Sequence, residues 1–79
     1  MAYNGYPSYN AWNVSLWLQS DEGLYNLMLS IIKRNRRRYG NKKRAPKEML
    51  DALHGCKVYK TDDGVRYTVS NIRRAMEGL

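Results

Sequence analysis

Between Lys33 and Lys47 the chain carries nine cationic side chains (Lys33, Arg34, Arg36, Arg37, Arg38, Lys42, Lys43, Arg44 and Lys47) and no acid. Charges at this density do not enter an apolar core without partners. The stretch must therefore face outward, and the core has to come from the residues on either side of it. Those flanks are short, because the whole chain has 79 residues. That length fits one domain, read as 1–79, with an irregular arm over 1–8 and the basic segment over 33–47. A chain of this size buries about 60% of its unfolded surface, so a thin core is expected. Outside the basic segment five cations face seven acids. The net charge of +7 is thus focused rather than spread, which favours a polyanion or an acidic protein surface as partner.

The flanking pattern reads mostly as helix. Met1 reads as a native start, and Gly5 and Pro7 break the tyrosine- and asparagine-rich arm. Tyr9 to Leu18 fits both periods: Trp12, Val14, Leu16 and Leu18 alternate as in a strand, while Ala11, Val14 and Leu18 follow helical spacing. A helix is favoured because Ser8 can cap it, with both tryptophans helping to form the core. Ser20 is the expected N-cap of a second helix, with Asp21 and Glu22 at its positive end. Leu24, Leu27, Met28 and Ile31 give that helix its apolar face, widened by Tyr25 and Ile32, and it extends to about Arg38 before Tyr39-Gly40-Asn41. Pro46 opens a third helix carrying Met49, Leu50 and Leu53, and Gly55 is its expected stop.

From Lys57 to Thr68 the pattern predicts a β-hairpin. Val58 and Tyr59 lie on one arm, Val65 and Tyr67 on the other, and Asp63-Gly64 makes the turn because glycine tolerates positive φ. Thr68 or Ser70 caps a last helix with Val69, Ile72, Met76 and Leu79. The expected fold class is α+β, in the order α-α-α-β-β-α.

Catalytic and metal chemistry find little to use. The single histidine, His54, and the single cysteine, Cys56, flank Gly55 at a helix end. No third group is positioned to orient a Cys–His pair. The expected roles are a helix C-terminal cation for His54 and a small, partly buried residue for Cys56. Two such ligands do not make a metal site, and Asp62-Asp63-Gly64 lacks the rest of a calcium loop. Neither a cofactor nor a metal is expected. One cysteine excludes an internal disulfide and fits a reducing cytoplasm. No apolar run is long enough to span a membrane, and no signal peptide opens the chain. The candidate binding residues are therefore Lys33, Arg34, Arg36, Arg37, Arg38, Tyr39, Lys42, Lys43, Arg44 and Lys47. The arginines suit bidentate phosphate contacts, and Tyr39 suits stacking on an unpaired base. Arg66, Arg73 and Arg74 extend this face if the later elements lie beside it, and Tyr3, Tyr6 and Tyr9 offer a second contact surface.

Trp12-Asn13-Val14-Ser15-Leu16-Trp17-Leu18 followed by Asp21-Glu22-Gly23-Leu24-Tyr25 resembles the "WNxxLW…DEGLY" segment of a family of short phage and mobile-element proteins. Lys60-Thr61-Asp62-Asp63-Gly64-Val65-Arg66-Tyr67 is similar to that family's "TPDGV" turn, with Asp62 in place of the proline. The resemblance covers about a third of the chain and implies origin more than chemistry. The expectation is a non-enzymatic binding protein, an inhibitor of host defence of the anti-CRISPR kind, docking on a host protein or nucleoprotein effector through the basic segment. The alternative is a small regulatory protein that binds DNA or RNA directly. Oligomeric state stays open.

Overall fold

The structure, a computed structural model, describes residues 3–79. Four helices account for the regular structure: α1 (Tyr9–Ser20), α2 (Glu22–Tyr39), α3 (Ala45–Gly55) and α4 (Val69–Met76). They pack in a closed ring, each on two neighbours: α1 on α2 and α4, α3 on α2 and α4. The shortest dimension of the molecule is 19 Å, which leaves room for two helix layers at ordinary interaxial spacing. The core between them is Val14 and Leu18 of α1, Met28, Ile31 and Ile32 of α2, Met49 and Leu53 of α3, and Ile72, Ala75 and Met76 of α4, closed by Val65 and Tyr67 from the connecting loop.

The helix boundaries follow local chemistry. Ser8 accepts from the Ala11 amide and starts α1 as expected. Ser20, however, is the last residue of α1. Asp21 is the cap of α2, its Oδ1 accepting from the Leu24 amide at 2.9 Å, and its extended backbone serves as the hinge between the two helices. Gly40, with φ 76°, closes α2. Gly55 does not stop α3. The helix ends in a Schellman arrangement: Val58 N–H donates to Leu53 O, Lys57 N–H donates to His54 O, and Lys57 takes the left-handed conformation at φ 60°.

The expected hairpin does not form, so the α+β assignment is corrected to all-helical; among the described residues no strand is present and Lys60 and Arg66 share only an isolated bridge. The reason lies in the hydrogen bonds. Thr61 N–H donates to Val65 O, but the return donor, Val65 N–H, goes to the Thr61 hydroxyl at 3.1 Å. The side chain thus intercepts the ladder. The turn itself stands, with Gly64 N–H donating to Thr61 O and Gly64 at φ 86°. In the arm, Asn4 and Gly5 both have positive φ, and Tyr3 and Tyr6 exchange both main-chain hydrogen bonds around them. This is the type I′ geometry that an Asn-Gly pair favours.

Both tryptophans stay half-exposed instead of filling the core. Trp12 stacks among Tyr3 and Tyr9, with ring centroids 4.9 and 5.7 Å away. The Trp17 Nε1–H donates to Asp63 Oδ2 at 2.9 Å. Asn13 beside them is fully buried. Its amide donates to the same carboxylate oxygen at 2.7 Å, and its Oδ1 accepts from the Thr61 hydroxyl at 2.7 Å. The two motif segments of the sequence therefore meet: the first clamps the turn of the second onto α1. These donors hold the Asp63 carboxyl below its ordinary pKa, the Asn13 hydrogen bond first and the Trp17 hydrogen bond second.

Candidate nucleic-acid interface

The ten candidate residues fall on three consecutive pieces of chain: the last two turns of α2, the loop 40–44 and the first turn of α3. All ten lie at one end of the molecule. The acids nearest in sequence are Glu48 and Asp51. With nine cations against these two, residues 33–51 account for the whole net charge of +7, and the rest of the chain is neutral.

Six of the nine cations have internal partners. Arg34 pairs with Glu48 Oε2 at 3.2 Å. That oxygen also accepts from the buried Asn35 amide at 2.9 Å, which joins α2 to α3. Lys47 pairs with Asp51 at 2.8 Å, one turn along α3. Lys42 Nζ donates to Met76 O at 2.7 Å and to Leu79 O at 3.1 Å. It thereby adds a cation to the C-terminal end of α4, where Met76 O also accepts from the Leu79 amide. Arg36 donates to the same Leu79 oxygen. Arg38 and Arg44 lie over the Tyr39 ring, 5.5 and 4.5 Å from its centroid. Tyr39 is thus covered by guanidinium groups, and a base would compete with them for the ring.

Lys33, Arg37 and Lys43 are exposed and make no side-chain hydrogen bond or ion pair among the described residues. Lys33 and Arg37 stand one turn apart on the solvent-facing crest of α2, opposite Met28, Ile31 and Asn35. Arg73, from α4, joins the cationic end. With Asn41, Lys42, Lys43, Pro46 and Glu77 it lines a groove of about 570 Å³. Sequence reasoning left Arg73 conditional on the fold and did not single out Glu48, Asn35 or Asn13. For Asn13 the available signal was its fixed place in the tryptophan motif, and for Asn35 its position four residues after Ile31, in line with the apolar face of α2.

His54 and Cys56 are both exposed, which corrects the expected partial burial of Cys56. The His54 ring lies 5.3 Å from that of Tyr59. Among the described residues no group of acids, histidine and cysteine is arranged to hold a metal, and no helix is long and apolar enough to cross a membrane.

Fold and site together define a small four-helix domain with a cationic end. The chain belongs to a family of unknown function, DUF7249, whose family model it matches over residues 1–79. No curated protein and no solved structure matches it.

Proposed function

We propose that this protein is a non-enzymatic binding protein that engages the phosphate backbone of a nucleic acid, bare or carried in a host nucleoprotein complex, through its cationic end. The observation that carries this reading is the set Lys33, Arg37 and Lys43: exposed cations without internal partners, on the one part of the molecule that holds its net charge. Like charges kept together cost stability, and a polyanion offsets that cost by releasing its condensed counterions on binding. The six partnered cations lie around these three. Exposed pairs such as Lys47–Asp51 are weak enough to be exchanged for phosphate.

Salt dependence tests the reading. The triple variant Lys33→Ala/Arg37→Ala/Lys43→Ala should keep its helical circular dichroism and bind labelled duplex DNA more weakly. Its slope of log affinity against log salt should be shallower by about 3, roughly 0.9 for each phosphate that is no longer neutralised. An unchanged slope refutes the proposal. The inhibition of host defence suggested by the phage-like motifs is the biological setting proposed for this binding. There the same triple variant should lose protection of phage in a plaque assay.

A further inference from the structure

The groove at the cationic end is built differently from a simple charged surface. Two cations without partners among the described residues, Lys43 from the loop 40–44 and Arg73 from α4, line it, thirty positions apart in sequence. The lining also includes an edge of the mostly buried Pro46 of α3 and the stem of Lys42, whose ammonium is already held by Met76 O and Leu79 O. Asn41 is fixed as well, its Oδ1 accepting from Lys43 N–H and its amide donating to Tyr39 O. Glu77 is the one acid in the lining, and Arg74 pairs with it at 3.3 Å.

We infer that this groove takes a single nucleotide unit, an unpaired nucleoside monophosphate at a strand end or in a loop. The inference rests on the phosphate-binding reading above and narrows it to a site. The apolar atoms of the lining, the Pro46 edge and the alkyl stem of Lys42, suit the face of a base or sugar, as they would not suit a bare phosphate. Arg73 offers a planar fork to the phosphate oxygens and Lys43 a point charge beside it. The Glu77 carboxylate, paired with Arg74 through one oxygen, keeps acceptor capacity for a sugar hydroxyl. A volume of about 570 Å³ is ample for such a unit.

Calorimetric titration of the whole chain with adenosine and uridine 5′-monophosphates, the corresponding nucleosides and inorganic phosphate tests this. Monophosphates should bind at least about tenfold tighter than either the nucleosides or phosphate alone, since each half engages only one side of the groove. Arg73→Ala and Lys43→Ala should each weaken monophosphate binding by about tenfold, the effect of removing a charge-assisted partner. Arg73 is exposed and makes no side-chain hydrogen bond, so its removal leaves the packing alone. Arg66→Ala, an equal loss of charge outside the groove lining, should leave that affinity unchanged. Equal affinity for phosphate and monophosphate, or equal losses in all three variants, overturns the inference. Duplex binding measured on the same samples separates the two readings. Duplex binding without monophosphate binding removes the groove and keeps the backbone interface; monophosphate binding without polymer binding does the reverse.

Discussion

At the scale of single residues, the most consequential side chain is Asn13. Its amide and carbonyl bind Asp63 and Thr61, fifty and forty-eight positions away. These bonds anchor a loop whose two arms share only one bridge. Removing Asn13 would leave the Thr61 hydroxyl without its buried acceptor, which is costlier than breaking an exposed hydrogen bond. The same clamp makes part of the stability depend on pH. The Asp63 pKa is lower in the folded chain than in the unfolded one. Its contribution is therefore complete above the unfolded carboxylate value of about 4 and is lost as pH falls through the lower folded value. Urea midpoints should show Asp63→Ala less stable than the parent at pH 7, with the gap narrowing steadily below about pH 4. A gap that stays constant down to about pH 2 would mean the carboxylate is not held by these donors. Tyr67 shifts in the opposite sense: burial first, then Asp62 and Asp21, raise its phenol.

At the scale of elements, the loop from Cys56 to Thr68 shows how a strand-like pattern becomes something else. Val58, Val65 and Tyr67 have the alternation of a hairpin, and their side chains do reach the core. The main chain around them pairs across the loop only at one bridge, where Tyr67 N–H donates to Tyr59 O and Thr61 N–H to Val65 O; the rest is used by the Schellman end of α3 and by the Thr61 turn. That helix end places Lys57 at φ 60°, a conformation a residue with a Cβ adopts at a cost of roughly 1–2 kcal/mol. Lys57→Gly should relieve most of it and stabilise the chain by about 1 kcal/mol, a rise in Tm of roughly 4–8 °C for a domain this small. A fall in Tm would mean that the lysine side chain makes a contribution larger than the strain.

For the whole molecule, charge and core occupy different places. The apolar residues of all four helices meet in one cluster, while the net charge sits on residues 33–51. Repulsion within that end should be visible in the free protein. Raising ionic strength from about 0.01 M to about 0.15 M shortens the screening length from about 30 Å to about 8 Å. Tm should then rise by a few degrees; a fall would show that the pairs Arg34–Glu48, Lys47–Asp51 and Arg74–Glu77 outweigh the repulsion. The sequence by itself determined the helices, because their apolar periods and caps are local, and it determined the cationic block, because charge is read directly from composition. It did not reveal that Asn13 and Thr61 would turn an expected hairpin into a clamped loop, that Tyr39 would be covered by arginines, or that Arg73 and Lys43 would line one groove. Each of these depends on which distant groups become neighbours once the helices close their ring, and hydrogen bonds between residues tens of positions apart have no period to announce them.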